Sequence, residues 1–200
     1  EPLAALDAQR KAELLPYLDT LHRELKIPVV YVSHAPEEVA RLADYIVRLD
    51  NGRIVSNGPT MEEFPRLAMH LTEQEATFAL IAAEIESHDE KDSLTLVSVG
   101  AYKLWVRSIS KPVGSSIRLR VLARDISLAL DPHNGSSSVL NILPTEVAGM
   151  EETEPGRTLV RLKFGDTFLL SRITTRSARM LQLSLGQPVY AQIKGVAPLE

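Results

Sequence analysis

Between residues 94 and 193 the sequence carries one pattern twice. Leu94-Thr95-Leu96-Val97, Gly100, Lys103-Leu104-Trp105-Val106, Gly114 and Ile117-Arg118-Leu119-Arg120 run parallel to Thr158-Leu159-Val160-Arg161, Gly165, Phe168-Leu169-Leu170, Gly186 and Val189-Tyr190-Ala191-Gln192. Each copy is strand, glycine turn, strand, glycine, strand. Strands this short cannot bury a face alone, so the duplication predicts small all-β barrels over the back of the chain, with strands at 94–99, 102–106, 116–122, 158–164, 167–171 and 189–193. The second copy has an insert, 174–183, whose Thr174-Thr175-Arg176-Ser177-Ala178 start and Leu181 and Leu183 predict a capped short helix.

The front of the chain differs in charge and in period. Residues 1–75 hold 8 basic and 13 acidic side chains, whereas the remainder holds 14 and 13. Asp7 is placed to cap a helix carrying Leu14, Leu18, Leu21 and Leu25, with Pro16 expected to kink or split it. Ile27-Pro28-Val29-Val30-Tyr31-Val32 is a continuous apolar, β-branched run that suits a strand covered on both faces of a parallel sheet. Pro36-Glu37-Glu38 opens a second helix, and Asp50-Asn51-Gly52 between Tyr45-Ile46-Val47-Arg48-Leu49 and Arg53-Ile54-Val55-Ser56 predicts a hairpin. A third helix is expected near 60–69. This portion therefore reads as α/β.

Composition removes several classes of function. With 0 Cys there is no disulfide framework, thiolate zinc site, iron-sulfur cluster or cysteine nucleophile. His22, His70, His88 and His133 are scattered without carboxylate partners at metal-ligand spacing, so no metal site is expected. A net charge of −4 with no basic block argues against gripping nucleic acid through its phosphates. No apolar run approaches the roughly 18 residues of a membrane span, and no secretion signal is evident. The chain opens on Glu1-Pro2 without Met, which suggests a cut chain.

By spacing alone, Ser33-His34 after an apolar strand is either a structural pair or a ligand-facing pair at a strand's carboxyl end. Glu1-Pro2-Leu3-Ala4-Ala5-Leu6-Asp7, followed by Val29-Val30-Tyr31-Val32-Ser33-His34 and the 44–58 hairpin, resembles the tail of an ABC-transporter ATPase domain, a P-loop NTPase fold, across nearly all of residues 1–70. The resemblance implies that Glu1 polarises the attacking water, His34 contacts the γ-phosphate as the switch histidine, and Asp7 lies in the D-loop that couples two subunits. It also implies ATP and Mg2+ as cofactors of the complete subunit. No G-x-x-x-x-G-K-[ST] loop, signature sequence or Walker B aspartate is present, so this chain alone is expected to be inactive.

Ser137-Ser138-Val139-Leu140-Asn141, Ile173-Thr174-Thr175-Arg176-Ser177-Ala178 and Ala191-Gln192-Ile193-Lys194-Gly195 are similar to the molybdate-binding Mop modules. Hydroxyls, helix-start N–H groups and one lysine suit a tetrahedral dianion, and Ser138, Thr174, Ser177 and Lys194 are the donors so indicated. Thr174 and Ser177 can equally serve as helix caps. Members that bind oxyanions commonly carry arginine before the asparagine, where this chain has Leu140. The order of the whole chain is similar to the ATP-binding subunits of molybdate ABC importers. That resemblance implies an ATPase portion at 1–72, an OB-like TOBE repeat at 73–135 and a Mop/TOBE oxyanion-binding portion at 136–200. It further implies a homodimer on a transmembrane permease at the cytoplasmic face of the inner membrane, with molybdate or tungstate as regulatory ligand. Two alternatives stay open: a stand-alone molybdate or tungstate store or sensor, and an importer ATPase for another anion or solute.

Overall fold

The computed structural model describes residues 2–3, 5–25, 27–64, 77–132 and 137–199, which form two compact units divided near residue 66. The first unit begins with helix α1 (Ala8–Leu25). Asp7 caps it, its Oδ1 accepting from Arg10 N at 2.8 Å. Pro16 lies inside α1, which continues as one helix, and the Thr20 hydroxyl donates to the Pro16 carbonyl at 2.9 Å. Helix α2 (Pro36–Leu42) starts on proline, whose fixed φ is preorganised for a first helical turn. Strands β1 (Tyr45–Asp50) and β2 (Arg53–Pro59) form the expected hairpin. Asn51 and Gly52 both take positive φ, 47° and 77°, the combination a two-residue turn of matching twist requires. Residues 60–64 are helical, and the rest of the expected third helix lies outside the described residues.

The expected strand at 27–32 is a correction. These residues adopt no regular secondary structure and pair with no strand, and Val30 is 94% exposed. A parallel strand exists only through its neighbours' hydrogen bonds, and among the described residues this unit holds the β1–β2 hairpin alone as sheet.

The second unit is the duplicated β structure. Its strands are β3 (Phe78–Asp89), β4 (Leu94–Val99), β5 (Tyr102–Arg107), β6 (Ser116–Leu122), β7 (Ile126–Ala129), β8 (Asn141–Glu154), β9 (Arg157–Phe164), β10 (Thr167–Thr174), β11 (Pro188–Ile193) and β12 (Ala197–Pro198). One sheet has the order β12-β6-β3-β4-β5 and the other β7-β11-β8-β9-β10. The two orders are the same fold written twice, since β3 and β8 each pair with the next strand and with the one that closes the repeat. In each sheet the two outer strands also meet, so both curl into barrels.

The outer strands are exchanged between copies. β7 follows β6 in sequence but pairs with β11, while β12 follows β11 and pairs with β6. The exchange shares one core: Leu104 and Leu119 from the first copy and Leu162 and Leu169 from the second are fully buried in a single cluster. The inserted helix, Thr175–Met180, forms as expected with Thr174 as its N-cap.

Candidate functional site

In the first unit the chemistry-bearing residues gather around Glu38, the third residue of α2. The residue is 5% exposed, and both carboxylate oxygens are used. Lys11 Nζ donates to Oε1 at 2.9 Å, while the Tyr31 and Ser33 hydroxyls donate to Oε2 at 2.8 and 2.6 Å. Burial works to raise the Glu38 carboxyl, but the bonds from Ser33, Lys11 and Tyr31, with the Lys11 charge, outweigh it and hold the group below its ordinary value. Burial, then the bond to Glu38 and its charge, push the Tyr31 phenol up. Ser33 Oγ also accepts from Ala35 N at 3.0 Å, closing the short turn on which His34 stands exposed. Asp7 lies one helical turn before Lys11, whose N–H donates to the Asp7 carbonyl at 3.0 Å. Glu1 lies outside the described residues.

In the second unit, a cavity of about 530 Å³ lies between the ends of several strands, with Trp105, Arg107, Ser138, Leu140, Asn141 and Lys194 among its lining. It exists because β8 starts against β5. Asn141 Oδ1 accepts from Trp105 N at 2.7 Å and its Nδ2 donates to Trp105 O at 2.8 Å, so a side-chain amide replaces a strand partner. Lys194 follows the last residue of β11, and its backbone N–H is held by the Asp125 carbonyl at 2.9 Å. Gly195 comes next at a tight crossing, where a Cβ would stand 3.0 Å from Asp125 Oδ2.

Ser138 and Lys194 thus share one cavity. Thr174 and Ser177 do not line it: Thr174 Oγ1 accepts from Ser177 N at 3.0 Å and lies 2.8 Å from Ser177 Oγ, at the start of the inserted helix. Arg107 and Trp105 complete the cavity and were not singled out as ligand-facing by sequence reasoning. The signal was available, because Arg107 closes a strand whose alternation, Leu104 and Val106 inward, sends Trp105 and Arg107 the other way. Among the described residues there is no cluster of His, Asp and Glu that could hold a metal ion. No helix among them is long and apolar enough to cross a membrane.

Residues 137–197 match the TOBE domain family. Curated relatives match the entire chain: it is 53% identical over 199 residues to the molybdenum import ATP-binding protein ModC of Aromatoleum aromaticum, 48% over 199 residues to that of Albidiferax ferrireducens and 47% over 201 residues to that of Methylococcus capsulatus. The matches take in 52%, 54% and 56% of those proteins, so the chain spans about half the length of the curated relatives it matches. A crystal structure of the cytoplasmic molybdate-binding protein ModG with molybdate bound superimposes with a TM-score of 0.53 at 21% identity, covering 60% of this chain and 93% of that one. This last likeness establishes a common fold for the barrel unit.

Proposed function

We infer that this chain, a homologue over its whole length of the molybdenum import ATP-binding proteins, is part of the ATP-binding subunit of a molybdate ABC importer. The observation that carries the reading is continuity: the match runs unbroken through the unit bearing Asp7 and His34 and through the TOBE-type barrels. A free-standing anion store has no use for the first unit.

On this reading ATP and Mg2+ bind in the complete subunit, where the cation supplies charge neutralisation on the phosphates. This chain contributes Glu1 to orient the attacking water, His34 to meet the γ-phosphate and Asp7 to couple two subunits. The phosphate cradle is not in this sequence, so the chain alone hydrolyses no ATP. Turnover above a Glu1→Gln control contradicts this. The subunit sits peripherally at the cytoplasmic face of the membrane, against a permease.

The barrels hold the regulatory oxyanion, molybdate or tungstate. Lys194, Arg107 and Ser138 give the cavity a cationic, hydroxyl-bearing wall suited to a dianion. Arg107 takes up the positive role that Leu140 leaves open. Thr174 and Ser177 stand apart within one chain, so a site using all four donors needs two chains, which fits a homodimer. Calorimetric titration with molybdate, with sulfate as control and a Ser138→Ala, Lys194→Ala variant beside it, tests the site. Sedimentation with and without anion tests the dimer.

A further inference from the structure

A buried carboxylate with every oxygen occupied is an expensive arrangement unless each donor is held in place, and here the donors come from two places in the chain and the carboxylate from a third. Lys11 belongs to the first turn after Asp7, Tyr31 and Ser33 to the segment that ends in His34, and Glu38 to α2. We propose that Glu38 is a positioning residue that ties the turn bearing His34 to the helix start bearing Asp7, so that the two move as one body. The proposal rests on the reading of Asp7 and His34 given above.

The geometry is specific to a carboxylate. Oε1 is spent on the ammonium of Lys11 and Oε2 on two hydroxyls, and Ser33 passes the restraint on by accepting from Ala35 N. His34 is thereby clamped on both flanks, by Ser33 before it and Ala35 after it, while its own ring remains exposed. Removing the charge leaves the ammonium without its partner and slackens both flanks together. Removing Lys11 breaks only the connection to α1.

The test uses the longer ATP-hydrolysing protein that carries this chain, with Glu38→Gln, Lys11→Met, Lys11→Arg and His34→Ala variants, and follows amide exchange at Ala35 in the 200-residue chain itself. Glu38→Gln and Lys11→Met are expected to lower kcat by about 10- to 100-fold at unchanged KM for ATP, the scale of a misplaced catalytic group. Lys11→Arg should recover most of the loss, and Ala35 should exchange faster in Glu38→Gln than in the unaltered chain, with Lys11→Met leaving it nearly unchanged. Wild-type kcat in Glu38→Gln, with His34→Ala inactive, overturns the proposal and leaves the ATPase reading standing. So does unchanged Ala35 exchange in Glu38→Gln. Wild-type turnover in His34→Ala overturns the ATPase reading, and the proposal with it.

Discussion

The Asn141 side chain is bound in both directions to the backbone of Trp105, accepting from its N–H at 2.7 Å and donating to its carbonyl at 2.8 Å. This amide pair joins the start of the second copy to the last strand of the first hairpin, across 36 residues of sequence, and forms one wall of the cavity that holds Ser138 and Lys194. The joint between the repeats is therefore also the candidate ligand site.

Replacing Asn141 by Ala strips Trp105 of both partners in a half-buried place. The variant should lose about 1 to 3 kcal/mol, the cost of stranding buried polar groups. Urea unfolding followed by far-UV circular dichroism reads this as a lower midpoint at unchanged slope. A midpoint equal to wild type would show that the pair contributes nothing.

Thr174 and Ser177 separate capping from binding. Thr174→Ala removes the cap of the inserted helix and should destabilise the protein by roughly 0.5 to 2 kcal/mol, whereas Ser177→Ala keeps the backbone bond to Thr174 Oγ1 and should cost less. Thermal unfolding of the two variants checks the order.

Acid should loosen the first unit through Glu38. Its carboxyl is held below the ordinary value in the folded chain, so the unfolded chain binds that proton more readily. The stability it contributes is present above the unfolded pKa of about 4.3 and is lost as pH falls through the folded value. In Glu38→Gln this part of the acid dependence should vanish, as measured by exchange of α1 amides between pH 3 and pH 6. An unchanged acid dependence in Glu38→Gln would place the sensitive group elsewhere.

Much of this was legible from residue order. Asn51-Gly52 demanded a two-residue turn, Pro36-Glu37-Glu38 marked a helix start, and alternation located β4, β5, β6, β9, β10 and β11 to within three residues at either end. Two long strands escaped for opposite reasons. β3 opens on Phe78, Ala79, Leu80 and Ile81, all buried, so its start lacks the period of two that would distinguish it from a buried helix. β8 hides behind Pro144, Gly149 and an acidic run that resembles a turn, yet Pro144 lies where β8 pairs with β11 and has not yet met β9. The exchange of β7 and β12 could not be seen at all, because nothing local tells an outer strand which copy to join. The four donors named from sequence did not fall together either: Ser138 and Lys194 meet because Asn141 of β8 pairs with Ile193 of β11, while Thr174 and Ser177 bond each other at the start of the inserted helix.

Trp105 is the chain's single tryptophan and lines the cavity, which makes its fluorescence a direct probe of occupancy. The decisive measurement is a titration of this chain with molybdate, read by Trp105 emission and calorimetry together, against sulfate and against the Ser138→Ala, Lys194→Ala variant. A saturable response to molybdate, absent with sulfate and lost in the variant, is the predicted result. No response at millimolar molybdate, or an equal one to sulfate, would contradict a molybdate-sensing role for the barrels.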